Sequence, residues 1–159
     1  LMLVMGVDPG VHGAIVVTNN KTFYSRWGWA DRASALVKFW EMPMDGKGKH
    51  AYDIPAIVEI IRTSGVELLV VEQVTRPASL VRCMGIFEAI GMTLGIEVMT
   101  ARPQVWKKHY GLTASKAESI ALAKEKWPKL EPALRKKKSD GIAEAALIGD
   151  WGYRISSPD

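Results

Sequence analysis

The chain has 159 residues, 48% of them hydrophobic and 24% charged, which suits one globular domain with a real core and excludes a disordered chain. A formal net charge of +4 and a sequence pI near 9.2 permit a polyanionic partner. No stretch reaches the roughly 18 apolar residues of a membrane helix, no signal-peptide pattern opens the chain, and the one cysteine, Cys83, excludes both an internal disulfide and a cysteine-built zinc site.

In chain order, residues 3–8 and 13–18 read as two apolar strands joined by Asp8-Pro9-Gly10, a turn-forming tripeptide. Asn19-Asn20 is a hairpin signal, and Thr22 to Trp27 reads as a third strand. The apolar run inside 33–43 fits a strand or a short helix equally. Asp53 and Pro55 predict a helix start, Ile54, Ile57, Val58 and Ile61 fall at helical spacing, and Gly65 is a stop. Val66 to Glu72 reads as a buried strand. Residues 79–94 read as a helix burying Leu80, Met84, Phe87, Ile90 and Leu94, and Glu97 to Thr100 as a short strand. Three further helices are predicted near 103–110, 115–127 and 139–152. Three strands followed by strands alternating with helices predict an α/β fold with a mixed sheet, antiparallel at its start and parallel in its additions.

Two apolar strands in this reading end in an acid, Asp8 and Glu72. Ligand sites of open α/β sheets collect at the carboxyl ends of strands. The last predicted helix carries Asp140 and Glu144, four residues apart and therefore on one face. Like charges at that spacing repel, and a cation would offset the repulsion. Each acid taken alone also fits a turn, a strand end or a helix cap. Together, with no His or Cys cluster beside them, they point to a hard divalent cation, Mg²⁺ or Mn²⁺, and to phosphoryl chemistry.

Gly6-Val7-Asp8-Pro9-Gly10 with Gly13-Ala14, then Val71-Glu72-Gln73, then Lys138-Ser139-Asp140-Gly141-Ile142-Ala143-Glu144-Ala145 resemble the RuvC family of Holliday-junction resolvases, within the ribonuclease-H-like superfamily. Trp106-Lys107, Lys116 and the run Arg135-Lys136-Lys137-Lys138 bring the chain nearer the phage-type and chloroplast members. The resemblance covers residues 3 to 152 and implies a ribonuclease-H-like, five-stranded mixed sheet flanked by helices, with 1–159 as a single nuclease domain. It implies a crossover junction endodeoxyribonuclease that acts as a homodimer and resolves four-way DNA junctions by paired, symmetric phosphodiester cleavage. Asp8, Glu72, Asp140 and Glu144 become the metal-binding catalytic acids, Asp8 bridging two Mg²⁺ ions, with Mn²⁺ able to substitute. Lys116 would be a catalytic residue near the scissile phosphate, Lys107 would lie close to the site, and both would bind DNA. No nucleotide cofactor and no membrane are expected. The expected home is an intracellular, reducing compartment: bacterial or phage-infected cytoplasm, or an organelle after processing.

The chain departs from the common bacterial pattern in placing its helix acids four rather than three apart, in having Glu at position 144, and in the segment Thr75 to Arg82. Eleven lysines and arginines between positions 102 and 138 face three glutamates, Glu118, Glu125 and Glu131. Arg135, Lys136, Lys137 and Lys138, next to the acidic helix, read as phosphate contacts, and Arg76 and Arg82 as rim contacts to DNA. Trp106, Tyr110 and Phe87 read as core or dimer-interface residues rather than base-stacking ones. A nuclease for flaps or RNA–DNA hybrids and a junction-binding protein that does not cut stay open as alternatives. An actin-like nucleotide binder needs a second lobe, for which 159 residues leave no room.

Overall fold

The structure, a computed structural model, describes residues 2–19, 37–136 and 139–157. Its sheet is built from β1 (Val4–Asp8), β2 (Ala14–Thr18), β3 (Val37–Glu41), β4 (Leu68–Glu72) and β5 (Glu97–Ala101) in the order β3-β2-β1-β4-β5. β2 pairs antiparallel with both β1 and β3, while β4 runs parallel to β1 and to β5. The mixed sheet expected from the sequence is therefore present. The strand expected at Thr22 to Trp27, and Asn20 of the hairpin signal, lie outside the described residues. The third strand described is β3, within the segment whose apolar run left strand and helix open. It is an edge strand with Lys38, Phe39 and Glu41 exposed, so burial imposes no clean period-two pattern on it.

Alternation along the strands sorts the core into two layers. Val4, Ala14, Val16, Leu68 and Val70 face one side, against α6 (Asp140–Ser156) and its Ala143, Ala146, Leu147 and Ile148. Met5, Val7, Ile15, Val17, Leu69 and Val71 face the other, against Ile57 and Ile61 of α1 (Ile54–Ser64) and Cys83 and Phe87 of α2 (Ala78–Thr93). Truncating a buried leucine such as Leu147 to Ala would cost about 2–5 kcal/mol.

α1 starts and stops where the sequence predicts. The Asp53 side chain accepts from Ala56 N, and Gly65 ends the helix at φ 70°, in the left-handed region. The predicted inner face of the next helix is present at Phe87, with Met84 and Ile90 partly buried against the same core, and is corrected at its end: Cys83 and Gly91 are buried, and Leu94 is exposed beyond the last turn. The cause is the close approach of β5, since a side chain at Gly91 would come within 2.7 Å of Val98 Cγ2. Here a glycine marks the buried stripe that an apolar count passes over.

The C-terminal third holds α3 (Pro103–His109), α4 (Lys116–Lys126), a 3-10 turn over Pro128–Leu130, α5 (Glu131–Leu134) and α6. α6 lies unusually close to β1. A Cβ on Gly6 would sit 1.9 Å from the carbonyl oxygen of Ala145, so only glycine lets the helix settle there. Among the described residues no helix is long and apolar enough to cross a membrane.

Candidate active site

β1 and β4 are neighbours, and Val7 pairs with Val71, so Asp8 and Glu72 finish adjacent strands roughly 4.8 Å apart. Strand alternation puts Asp8 on the side of Val4 and Glu72 on the side of Leu68 and Val70, the side covered by α6. α6 begins at Asp140, with Glu144 one turn on. Its first turn presses on the β1–β2 turn. A Cβ at Gly141 would lie 2.6 Å from the His12 carbonyl oxygen and 3.3 Å from Asp8 Oδ2. Three elements thus bring four carboxyl groups near enough for Glu144, Glu72 and Asp140 all to act on Asp8.

Their proximity appears in their protonation. Burial pushes the Asp8 carboxyl well above the usual carboxylate range, and Glu144, Glu72 and Asp140 add to the push in that order, against Lys107. Burial likewise lifts Glu72 to about 7; the indole N–H of Trp106 opposes this, Glu144 reinforces it and Lys107 opposes it again.

Three contacts hold the acids. Trp106 Nε1 donates to Glu72 Oε2 at 2.8 Å. Lys107 Nζ lies 3.3 Å from Glu144 Oε1, and 5.3 Å above the Trp106 ring. Lys116 Nζ lies 2.9 Å from Asp140 Oδ2, and that hydrogen bond raises the lysine's pKa. The Lys116 side chain is 72% exposed, whereas Lys107 is mostly covered at 23%. Two ammonium groups thus face four carboxylates.

Among the described residues, no group of three or more His, Cys, Asp and Glu side chains stands arranged to hold a metal ion. Three of the four acids are engaged by lysine or indole. The donor chemistry nevertheless fits a hard divalent cation, because all four acids offer carboxylate oxygens and a cation would favour their ionised forms.

Of the other basic residues named from the sequence, Arg76, Arg82, Arg135 and Lys136 are described and exposed. Arg76 is exposed and lines a cavity of about 450 Å³ with Gln73, Thr75, Arg102 and Gln104, and Arg102 Nε donates to Gln73 Oε1 at 3.4 Å. Arg82 is exposed and donates to the His50 carbonyl at 3.4 Å. Arg135 pairs with Glu131 at 2.8 Å on the surface. Lys136 lines a second cavity, about 430 Å³, with His12, Glu41, Met42 and Ser139. Lys137 and Lys138 lie outside the described residues. Trp106 and Phe87 are fully buried, which leaves neither ring able to stack on a base. Tyr110 donates to Asp150, a buried carboxylate that the sequence reading missed.

The architecture matches solved structures over nearly its whole length. Thermus thermophilus RuvC superposes with a TM-score of 0.63 at 17% identity, covering 98% of this chain and 97% of that one. Fowlpox virus resolvase, in a complex with Holliday junction DNA, gives a TM-score of 0.62 at 13% identity, covering 96% of this chain and 99% of that one. The fold is that of the RuvC resolvases. A chloroplastic Holliday junction resolvase of Chlamydomonas reinhardtii is 36% identical over 77 residues, 47% of this chain. The chain covers 8% of the length of that relative. No family model matches the chain.

Proposed function

We propose that the chain is a divalent-cation-dependent endonuclease that resolves four-way DNA junctions by paired, symmetric cuts, with 1–159 as one nuclease domain working as a homodimer in a reducing compartment. The observation that carries this is the meeting of Asp8, Glu72, Asp140 and Glu144, from β1, β4 and α6, where among the described residues Lys107 and Lys116 pair with them. Asp8, Glu72, Asp140 and Glu144 hold two Mg²⁺ ions in this reading, and Mn²⁺ can replace them. When bound, the cations supply the charge neutralisation that phosphodiester hydrolysis needs.

The chain's own residues do the rest. Lys116, largely exposed and tied to Asp140, is placed to trade that carboxylate for an oxygen of the scissile phosphate. Lys107, mostly covered, holds Glu144 toward the other acids. Arg76, Arg82, Arg135, Lys136, Lys137 and Lys138 supply phosphate contacts around the acids, which position DNA without reading its sequence. The likeness to RuvC and to the fowlpox resolvase supports the fold on which this rests, and the stretch shared with the chloroplastic resolvase supports its substrate.

The test is a cleavage panel of labelled four-way junction, duplex, flap and RNA–DNA hybrid in Mg²⁺, Ca²⁺ or EDTA. Symmetric, ligatable nicks in the junction with Mg²⁺ alone are expected. Preferential cutting of flap or hybrid would reassign the substrate. Tight junction binding without cutting would make the chain a binding protein.

A further inference from the structure

The side chain of Trp106 is fully buried, as its expected core role requires. Burial alone does not explain its hydrogen bond to Glu72 Oε2 at 2.8 Å. Among the described residues Trp127 and Trp151 are also buried, and their indole nitrogens make no hydrogen bond. An indole N–H is only a donor, and its strongest partner is an ionised carboxylate. The next residue, Lys107, reaches Glu144 at 3.3 Å. Consecutive side chains of α3 therefore hold acids on two other elements, Glu72 on β4 and Glu144 on α6. The backbone N–H of Trp106 bonds to the Arg102 carbonyl at 3.1 Å, which fixes this turn just after β5.

We infer that Trp106 is a positioning residue: taking the acids as the cation ligands proposed above, its indole N–H pins Oε2 of Glu72 and so presents Oε1 to a divalent cation. A carboxylate's terminal torsion is broad, so an unpinned Glu72 would sample both oxygens and several orientations. Removing a partner that orients a ligand commonly lowers metal affinity 10–100-fold.

The test is Trp106→Phe, which keeps an aromatic ring in the core and loses the donor. The Mg²⁺ dissociation constant of the DNA-free protein, measured by calorimetry, should rise about 10–100-fold, and the Mg²⁺ needed for half-maximal cleavage should rise with it. The maximal rate at saturating Mg²⁺ should stay within about threefold, since the reacting groups are intact. A folded Trp106→Phe protein with the Mg²⁺ affinity of the parent overturns the inference. A wild-type measurement covers a variant that fails to fold. The Trp106 indole N–H signal in a ¹H–¹⁵N spectrum should shift on adding Mg²⁺, while those of Trp127 and Trp151 stay put, and a stationary Trp106 signal overturns the inference. A chain that binds Mg²⁺ and shifts that signal but cuts no junction defeats the nuclease reading alone and supports the clamp.

Discussion

The two ends of α6 solve the problem of a covered carboxylate in opposite ways. Toward its C-terminus, Asp150 is 2% exposed, yet Tyr110 Oη and Arg154 Nε (2.9 Å) both donate to its Oδ2, and Lys126 Nζ lies 3.6 Å away. This acid is matched by cations and donors of the same chain and ties α3, α4 and α6 together. At the N-terminal end, Asp140 and Glu144 meet Asp8 and Glu72, and two lysines serve all four. Burying charge costs several kcal/mol per ion unless it is compensated. The Asp150 end is compensated internally and stabilises the fold. Among the described residues the Asp8 end has two ammonium groups for four carboxyl groups, and in the reading proposed above a divalent cation supplies the rest.

That contrast predicts opposite responses to the same kind of substitution. Asp8→Asn should lower junction cleavage by more than about 1,000-fold, roughly 4 kcal/mol of lost transition-state stabilisation, while junction binding in EDTA is kept or strengthened. The same variant should melt higher than the parent in EDTA at a pH where the parent's Asp8 is ionised, because one crowded negative charge is gone; a lower melting temperature would break the comparison. Asp150→Asn should lose about 3 kcal/mol in urea denaturation, since Lys126 stays buried, and Arg154 partly buried, beside a neutral group. An Asp150→Asn protein as stable as the parent would show that the two ends do not differ.

A pH effect of intermediate size sharpens the same point. Folding raises Glu72 from 4.5 to about 7. Between these values the folded chain holds a proton that the unfolded chain has released, so stability is present below the lower value and is lost as pH rises through the upper one. Asp8, also raised, acts in the same direction. In EDTA the melting temperature should therefore fall from about pH 4.5 to about pH 7, and Glu72→Gln should flatten that slope. The smallest effect belongs to Lys116→Ala. Its side chain is 72% exposed, so the ion pair to Asp140 should contribute less than about 1 kcal/mol to folding, checked by denaturation, while cleavage falls through loss of the phosphate contact.

Much of the site was legible before any coordinates. Asp8 and Glu72 stand out because they end runs of apolar residues, and Asp140 and Glu144 because a four-residue spacing fixes one helix face. The caps of α1 were equally readable, because Asp53, Pro55 and Gly65 act within a few residues of themselves. β3 was less readable, because an edge strand lacks the burial that imprints alternation. The end of α2's inner face was misread because its buried stripe runs through Gly91, where the constraint comes from Val98 on another element. A buried tryptophan signals that its N–H needs an acceptor, but nothing local names Glu72 as that acceptor.

The residue types, their order and their local periodicities therefore determined the α/β class, the strand and helix that carry each acid, and the hard-oxygen chemistry those acids offer. Which acids touch which cations of the chain, and that α3 supplies both the indole for Glu72 and the ammonium for Glu144, was decided only by packing. Periodicity and capping are set by neighbours along the backbone. Partners from β4, α3 and α6 lie 34 to 72 positions apart in sequence, as Glu72, Trp106, Lys107 and Glu144 do, and meet because Gly6 and Gly141 let the helix close onto the sheet.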